Sequence, residues 1–461
     1  MDITTLRTRF DVLHAASRQY VEVDLATRKD RLNRLREMLR KNDATIVAAI
    51  SADFGCRVPD ETRLLEILPL MNALRHAGSH LRGWMRPERR PISLIFQPAR
   101  GRLVPQPLGL VGIIAPWNYP LYLSIGPLID VLAAGNRAMI KPSEIAPRFA
   151  DLLQEMIAGA FAADEVAVVT GDADVARAFS GLPFDHLIFT GSTAVGREVA
   201  IAAAANLTPV TLELGGKSPA ILAPDADIAK AAVSIAFGKF TNAGQTCVAP
   251  DYVLVPRGKL DALVTALEAE IRRSYPTLGP GYTSIVSERH YARLAALLGA
   301  LPEEIHVIRI GEDAAAARKL APRLVLAPPN ESRLMREEIF GPILPILPYD
   351  DLDSAIAAVN SGDRPLAAYG FAASRAQSEK IIHGTISGGM TINGTLLHLA
   401  QDALPFGGVG ASGIGAYHGH DGFVRFSHMK PVFSPVFINA IEKLGPPWGR
   451  LARLTYRILG R

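Results

Sequence analysis

Short apolar runs alternate with helical segments from Leu110 to Leu214, and this rhythm constrains the fold more than any other feature of the sequence. Each run is too short for a helix, and the stretch that follows it has apolar residues at helical spacing. Such alternation predicts βαβ units and a doubly wound parallel sheet, which binds ligands at the carboxyl ends of its strands. The predicted strands lie at 110–115, 138–140, 166–170, 186–189 and 209–214.

The alternation begins again after Gly215, which predicts a second α/β domain of about 180 residues. A second domain agrees with the length of 461 residues, since one ordinary core rarely covers so long a chain. Helical periodicity also covers 24–51 and 61–85, and the polar, proline-rich stretch up to Pro107 is typical of a hairpin or arm. Further strands are predicted at 220–222, 252–255, 366–371 and 390–392.

The cysteine and charge content excludes several classes of protein. Two cysteines cannot build a disulfide framework and have no metal-ligand spacing, so we expect no metal site and a reducing compartment. The N-terminus lacks the apolar core of a signal peptide, and no run approaches the roughly 18 to 20 apolar residues of a spanning helix. We therefore expect a cytoplasmic protein. The net charge of +4 is too small and too local for nucleic-acid binding.

The positive charge is concentrated at the C-terminus, where residues 442–461 carry five basic residues against one acidic residue. Arg450, Arg453, Arg457 and Arg461 recur at spacings of three and four, so on a helix they would share one face. Two interpretations stay open at this point. The tail is a solvated helix packed on its own protein or a partner subunit, or it makes a weak peripheral contact with an anionic membrane.

Cys247 and Glu213 are the candidate catalytic residues. Cys247 ends the stretch Asn242-Ala243-Gly244-Gln245-Thr246-Cys247, and Glu213 lies upstream of it, before a glycine turn. A thiol and a carboxylate are the two groups needed to form a thioester and then hydrolyse it. A lone cysteine is more often a small buried apolar residue than a nucleophile, so the pair alone does not decide the function.

Two glycine patterns are similar to nucleotide-binding loops. Gly408, Gly410 and Gly413 match the spacing GxGxxG, but they lack a preceding strand and a following helix, so we interpret them as a structural turn. The stretch Gly215 to Ser218 is similar to the end of a phosphate loop. Thr211 occupies the position of the first glycine of that motif, and we reject it.

Better candidates for binding a nucleotide follow the predicted strands. Lys141 could reach a phosphate or a ribose, and Glu144 could accept hydrogen bonds from ribose hydroxyls. Gly191, Ser192 and Gly196 close another strand and open a helix, whose free N–H groups favour an anion. The alternative is an ordinary surface ion pair between Lys141 and Glu144, with Ser192 as a plain helix cap.

Seven motifs, in order and with their spacing kept, resemble those of the NAD(P)-dependent aldehyde dehydrogenase superfamily over about residues 20–430. The chain is most similar to the compact class-3-like branch, through 247–252 and 415–419, and there to the bacterial coniferyl aldehyde dehydrogenase group, through 53–55 and 81–85. The motifs are Pro116-Trp117-Asn118-Tyr119-Pro120, Lys141-Pro142-Ser143-Glu144, Phe189 to Gly196, Glu213-Leu214-Gly215-Gly216-Lys217, Gly244-Gln245-Thr246-Cys247, Glu338-Ile339-Phe340-Gly341-Pro342 and Pro405-Phe406-Gly407-Gly408.

The resemblance implies an α/β, aldehyde dehydrogenase-like fold. An atypical Rossmann cofactor-binding domain would cover residues 1–95 and 110–214, and a catalytic α/β domain would cover 215–395. Residues 96–109 and 396–430 would form a small β oligomerisation arm and its return segment, and 431–461 would be a basic tail. The same resemblance implies a homodimer.

The resemblance also assigns roles. Cys247 would be the nucleophile, Glu213 the base that activates water, and Asn118, with the backbone N–H of Cys247, the oxyanion hole. The cofactor would be NAD, with NADP as an alternative, and Glu144 favours NAD because a carboxylate repels a 2′-phosphate. The residues expected to hold the cofactor are Trp117, Lys141, Glu144, Gly191, Ser192, Gly196, Leu214, Glu338 and Phe340.

The expected substrate is a bulky aromatic aldehyde such as coniferyl aldehyde, or a medium-chain aliphatic aldehyde, oxidised to the carboxylic acid. One alternative is an acylating dehydrogenase that passes the acyl group to coenzyme A, but such relatives generally lack a glutamate at the position of Glu213. Another is a catalytically retired binding protein of the same fold. Retirement should have removed Cys247, Glu213 or Asn118, and all three are present.

Overall fold

A computed structural model of the chain describes residues 3–435 and 442–460. Its helices are α1 (Ile3–Gln19), α2 (Leu25–Lys41), α3 (Asp43–Phe54), α4 (Pro59–Thr62), α5 (Leu68–Trp84), α6 (Pro120–Ala133), α7 (Pro147–Ala160), α8 (Ala173–Ser180), α9 (Thr193–Ala204), α10 (Ile228–Phe240), α11 (Leu260–Ser274), α12 (Glu288–Gly299), α13 (Arg333–Arg336), α14 (Leu352–Ser361), α15 (Arg375–Gly384), α16 (Gly419–Arg425) and α17 (Arg450–Leu459). A π-helical turn, Arg63–Ile67, joins α4 to α5.

The strands belong to three sheets. They are β1 (Glu88–Arg90), β2 (Arg100–Pro107), β3 (Leu110–Ile114), β4 (Arg137–Lys141), β5 (Val166–Val168), β6 (His186–Gly191), β7 (Val210–Leu214), β8 (Pro219–Leu222), β9 (Tyr252–Pro256), β10 (Val307–Arg309), β11 (Arg323–Leu326), β12 (Ile343–Tyr349), β13 (Ala367–Phe371), β14 (Gly389–Ile392), β15 (Gly413–Ile414) and β16 (Ser427–Ser434).

The first sheet has six strands in the order β15-β7-β6-β3-β4-β5. All neighbours from β7 to β5 are parallel, and only the short β15 is antiparallel, to β7. Every residue of β3 and β4 is buried, as expected for a parallel sheet covered by helices on both faces. This confirms the predicted doubly wound α/β fold.

The second sheet has seven strands in the order β10-β11-β12-β9-β8-β13-β14, and β10 alone is antiparallel to its neighbour. The chain enters it directly from the first sheet, because only residues 215–218 separate β7 from β8. The two parallel sheets therefore meet at a segment of four residues, and this segment lies beside the candidate site.

The third sheet, β1-β2-β16, is the polar arm. β16 pairs with β2 along its whole length, from Ser427 opposite Pro107 to Ser434 opposite Arg100. The strand therefore includes the first four residues of the segment expected to be a tail. Among residues 3–435 and 442–460, no helix is long and apolar enough to cross a membrane.

Candidate active site

The first group of predicted site residues lies where four neighbouring strands end. The order β7-β6-β3-β4 within the sheet places the carboxyl ends of these parallel strands along one edge. The loop after β3 carries Trp117 and Asn118, and β4 ends at Lys141. β6 ends at Gly191, and β7 carries Glu213 and Leu214. The fold thus brings four motifs that are distant in sequence to one edge, where doubly wound sheets bind ligands.

Cys247 is presented by a constrained loop that follows α10. Asn242 and Ala243 have left-handed backbone conformations, with φ of 54° and 51°. A Cβ on Gly244 would lie 2.4 Å from the carbonyl oxygen of Gly341, so only glycine fits there. The side chain of Gln245 donates to the carbonyls of Asn242 and Ser284, at 3.0 and 3.1 Å, and secures the loop. Strained backbone held by its surroundings is typical of functional sites.

The thiol of Cys247 is half-buried and is not in a disulfide. Burial raises its pKa to about 12, and the nearby carboxyl groups of Glu338 and Glu213 add to the shift. Both causes raise the pKa because a low-dielectric environment and a negative neighbour each disfavour the charged thiolate. The chain by itself therefore holds its candidate nucleophile protonated at neutral pH.

Glu213 is almost completely buried on β7. Neither carboxyl oxygen has a hydrogen-bond partner among the described residues. Burial raises the pKa of this carboxyl well above its ordinary value, opposed in part by the charge of Arg425. Buried polar groups are normally satisfied, so a carboxyl left free next to a cysteine indicates a group kept available for proton transfer.

The GxGxxG glycines build a turn beside Glu213. Gly410 and Gly413 bridge each other, and a Cβ on Gly408 would lie 2.0 Å from the carbonyl oxygen of Ser412. Gly413 then pairs with Glu213 across the β15–β7 ladder. These glycines therefore support the edge of the strand that carries Glu213, in a turn.

Asn118 connects the loop after β3 to the cysteine loop. It is buried, and its side-chain amide donates to the carbonyl of Gln245 at 3.1 Å. Its own backbone carbonyl accepts from Arg57, at 2.7 Å, and from the side chain of Asn242, at 3.1 Å. An amide donor and the thiol thus lie on two loops that are bonded to each other, which is the arrangement an oxyanion hole needs.

Lys141 and Glu144 lie next to each other at the end of β4. The buried ammonium of Lys141 donates to the carbonyl of Pro142 at 2.8 Å and lies 3.6 Å from a carboxylate oxygen of Glu144. Burial lowers the pKa of Lys141. Because the Glu144 side chain is about half exposed, it can reach a bound ribose.

The start of α9 forms a second possible contact with a nucleotide. Ser192 caps this helix, since its hydroxyl accepts from the N–H of Val195 at 3.4 Å. A Cβ on Gly196 would lie 2.6 Å from Leu214, and one on Gly191 would lie 2.5 Å from the ring of Phe189. Gly196 lets the helix approach β7 closely, and the free N–H groups at the start of the helix favour an anion.

Glu338, Phe340 and Trp117 form another group of predicted site residues. The Glu338 carboxyl lies against Gly215, where a Cβ would be 2.2 Å from its oxygen, and the other oxygen has no partner among the described residues. Burial, and then Asp251, raises its pKa to about 8. Phe340 has a φ of 50° and meets Trp117 edge to face at 5.5 Å. An unpartnered acceptor and two rings in this group are the kinds of side chain that could hold the ribose and nicotinamide of a dinucleotide.

Sequence reasoning missed a largely buried ion pair that holds the segment before Glu338 in place. Lys217 pairs with Asp251 and also donates to the carbonyls of Leu334 and Glu337, at 2.9 and 3.1 Å. Asp251 accepts the N–H of Ile339 at 3.0 Å, next to Glu338. Lys217 and Asp251 belong to two of the stretches that carry the family resemblance, 213–217 and 247–252. Their opposite charges could have indicated from the sequence that they form an ion pair.

Comparison with known proteins agrees with this geometry. The model of the aldehyde dehydrogenase family matches residues 8–432. The chain belongs to the aldehyde dehydrogenase family. Members of this family are oxidoreductases that act on aldehydes with NAD(P). The assignment also confirms the resemblance noted in the motifs.

Several members of the family are similar over nearly their whole length. A Pseudomonas aeruginosa protein described as "Probable coniferyl aldehyde dehydrogenase" is 47% identical, over 100% of this chain and 97% of that protein. The 4,4'-diaponeurosporen-aldehyde dehydrogenase of Staphylococcus aureus is 41% identical, over 93% of each. A solved structure described as the substrate bound state of Staphylococcus aureus AldH has a TM-score of 0.92 at 38% identity, over 98% of this chain and 99% of that one.

Proposed function

We propose that this aldehyde dehydrogenase oxidises a bulky aromatic aldehyde such as coniferyl aldehyde to its acid, with NAD as cofactor and water as the acyl acceptor. The observation that carries the proposal is the buried carboxyl of Glu213, which has no partner among the described residues and lies close enough to affect the Cys247 thiol. A nucleophile and a free base in one buried site are the two groups that thioester formation and hydrolysis require.

In the first half of the reaction, the Cys247 thiol releases its proton to solvent, and the thiolate attacks the aldehyde carbon. A C–S bond forms, and the electron pair of the C=O double bond moves to the oxygen. The Asn118 amide and the Cys247 backbone N–H donate to that oxygen, and one such donor is worth about 3 to 4 kcal/mol in the transition state. When bound, the oxidised nicotinamide supplies a hydride acceptor and a positive charge that favours the thiolate.

In the second half, Glu213 removes a proton from water, and the water oxygen attacks the thioester carbon. The C–S bond breaks, the thiolate of Cys247 leaves, and the carboxylic acid is released. Water is the acceptor in this proposal because Glu213 is present and unpartnered, whereas an acylating enzyme has no need of a buried base at this position. A retired binding protein would have no reason to keep the strained cysteine loop.

The cofactor would lie along the edge of the first sheet. Lys141 and Glu144 would hold its ribose, Gly191 and Ser192 with the start of α9 its pyrophosphate, and Glu338 the nicotinamide ribose. Glu144 supports NAD over NADP, since its carboxylate repels a 2′-phosphate. The residues of the proposed cofactor site are Trp117, Lys141, Glu144, Gly191, Ser192, Gly196, Leu214, Glu338 and Phe340.

The substrate class rests on similarity. Relatives 46% and 47% identical to this chain are named coniferyl aldehyde dehydrogenases, which supports a hydroxylated aromatic aldehyde. The medium-chain aliphatic aldehyde is the second candidate. Cytoplasmic location is part of the proposal, supported by the two free thiols.

A homodimer is also part of the proposal. The arm exposes Leu94 and Phe433, and the ring of Phe96 packs against Phe433 at 5.9 Å, so an apolar patch lies at the arm's end. Sedimentation of wild-type protein should give a dimer, and Phe433→Glu should shift it toward monomer. A monomeric wild type at micromolar concentration would disprove this part.

The activity is tested by the absorbance of reduced nicotinamide with coniferaldehyde, benzaldehyde and hexanal, each with NAD and with NADP. Turnover without coenzyme A is expected, with coniferaldehyde and NAD giving the largest kcat/KM. Cys247→Ala should abolish turnover, whereas Glu213→Gln should keep a burst of reduced cofactor but lose steady-state turnover. Activity only after addition of coenzyme A would show that the acyl group passes to coenzyme A rather than to water. No activity under any of these conditions would refute the assignment of substrate.

A further inference from the structure

Arg57 is a completely buried arginine that the proposed reaction does not use. It lies in the loop 55–58, between α3 and α4, with an exposed fraction of 1%. Its guanidinium stacks over the rings of Phe54 and Tyr119, at 5.1 and 4.7 Å from their centroids. Arginines are almost never buried in this way unless they are paired, so its partners indicate its role.

One nitrogen of Arg57 makes both of its polar contacts. Nη1 donates to the backbone carbonyl of Asn118 at 2.7 Å and lies 3.2 Å from a carboxylate oxygen of Glu66, which is also completely buried. The other two guanidinium nitrogens, Nε and Nη2, have no hydrogen-bond partner among the described residues. Among the described residues, the guanidinium of Arg57 therefore makes its polar contacts only with Glu66 and with the backbone carbonyl of Asn118, the candidate oxyanion donor.

Glu66 holds the other side of the same loop. Its second oxygen accepts the backbone N–H groups of Leu121 and Tyr122, at 2.9 and 3.0 Å, which belong to the first turn of α6. A carboxylate at a helix N-terminus is favoured by the helix dipole. Glu66 itself lies in the π-helical turn 63–67, a distortion that is frequent at functional sites.

A purely structural pair would not need this arrangement. Buried ion pairs are weak evidence for stability, because apolar residues of similar volume often replace them without loss. Apolar replacements here would leave the Asn118 carbonyl with only the Asn242 amide as donor. The Asn118 side chain would then be free to shift, and misplacement by about 1 Å can cost about 100-fold in rate.

We propose that Arg57 and Glu66 are positioning residues that clamp the backbone of Asn118, so that its side-chain amide points at the aldehyde oxygen. The inference rests on the proposed function, in which Asn118 donates to that oxygen. It adds two residues to the reaction that touch neither substrate nor cofactor.

The decisive experiment is a double-mutant cycle between the clamp and Asn118, read by the rate of the acylation burst with coniferaldehyde and NAD. The clamp is removed as Arg57→Met with Glu66→Gln, which eliminates both charges while the glutamine oxygen still accepts the two N–H groups. Asn118→Ala removes the donor itself. A matched control is Arg31→Met, a buried arginine that pairs with Glu165 away from the cysteine loop.

We expect about a 10- to 100-fold slower burst for the clamp variant and about a 100- to 1,000-fold slower burst for Asn118→Ala. The combination should be no slower than Asn118→Ala alone, because a clamp that acts through Asn118 has nothing left to position. Multiplicative losses would overturn the inference. A normal burst in the single variant Asn118→Ala would instead refute the oxyanion role of Asn118, on which the inference depends. The single variant therefore distinguishes failure of the proposed function from failure of the inference.

Two further readouts separate positioning from folding. Alkylation of Cys247 by iodoacetamide without cofactor, and the KM values for both substrates, should stay within about threefold of wild type in the clamp variant. Single Arg57→Lys should recover most of the burst lost in Arg57→Met, since one nitrogen makes both contacts. A lysine variant as slow as the methionine variant, or a control Arg31→Met that loses the burst equally, would overturn the inference.

Discussion

At the scale of single residues, the site holds three acidic groups whose ionisation is disfavoured by burial. Cys247, Glu213 and Glu338 all have a raised pKa, and burial is the largest cause for each. The two carboxyl groups also raise the pKa of Cys247 when they are charged, so that ionising either one makes the thiol harder to ionise. The chain therefore depends on a positive charge at the site, or on alkaline pH, to produce the thiolate.

This coupling predicts how the reactivity of Cys247 varies with pH. Because its pKa is raised to about 12, alkylation of the cofactor-free enzyme by iodoacetamide should rise about tenfold per pH unit from pH 7 to about 10, without a plateau. Glu338→Gln should speed alkylation several-fold at about pH 9, because it removes a negative neighbour of the thiolate. The measurement is the loss of free thiol with time.

The experiment is carried out with Cys56 replaced by serine, so that Cys247 is the thiol that reacts. A plateau near the ordinary thiol pKa of about 8.5 would contradict this account of the site, as would slower alkylation in Glu338→Gln.

At the scale of secondary-structure elements, one acidic residue fastens α2 to the first sheet. Glu165, just before β5, accepts from Arg34 at 2.8 and 3.0 Å and from Arg31 at 3.0 Å. Burial alone would raise the pKa of this carboxyl, but the two arginines together lower it to about 2. A carboxyl whose folded pKa lies below the ordinary value stabilises the fold above that value and less as the pH falls.

Glu165→Gln should therefore lower the Tm by about 2 to 4 °C at neutral pH, since it leaves Arg31 buried without a counter-charge. The difference from wild type should shrink as the pH falls from about 4.5 toward 2, where the wild-type carboxyl also becomes protonated. Scanning calorimetry at matched rates measures both. The exposed pair Arg272–Glu268 supplies the control, because Glu268→Gln should leave the Tm unchanged. A difference in Tm between the variant and wild type that grows as the pH falls would refute this link between the Glu165 pKa and stability.

Elements were predictable where their patterns are local. The strands of the first sheet and the helices between them follow the predicted alternation closely. The helical periodicity over 24–51 is divided between α2 and α3 in the structure, because the chain breaks at Asn42, whose side-chain amide donates to the carbonyl of Met38 and ends α2. The strand β12 was missed because two prolines interrupt it, a pattern that argues against a strand within a sheet.

The register of β12 explains how the prolines are tolerated. Pro345 pairs only with β11, and Pro348 pairs only with β9. Each proline is therefore paired with a neighbouring strand on one side only, and the other side requires no N–H from it. Motif matching likewise gave Cys247, Glu213 and Asn118, whose roles stay a proposal. It did not give Arg57 and Glu66, because a pair that acts through the backbone of another loop leaves no pattern along its own sequence.

At the scale of the whole molecule, the C-terminal helix α17 lies on the surface of the fold. None of the residues of α17 is buried, and within 442–460 its three arginines make no ion pair. Leu451, Leu454 and Ile458 are more than half exposed and form a stripe beside the arginines. Arg461, the fourth arginine of the sequence pattern, lies outside the described residues. An apolar stripe flanked by arginines matches the chemistry of an anionic lipid surface, in which apolar side chains insert and cations meet phosphates.

We therefore expect weak, salt-sensitive binding of the full-length protein to vesicles that contain phosphatidylserine, and none to pure phosphatidylcholine. Replacing Arg450, Arg453 and Arg457 by glutamate should abolish co-sedimentation, since each basic residue near such a surface contributes about 1 kcal/mol. Replacing Leu451, Leu454 and Ile458 by serine should weaken it while the charge is kept, which separates insertion from simple attraction. Oxidation of a soluble aldehyde should be unchanged in both variants, because the tail contributes no residue to the site. Binding that survives the glutamate variant would show that another surface is responsible. Loss of the dimer in that variant would assign the helix to the partner subunit instead.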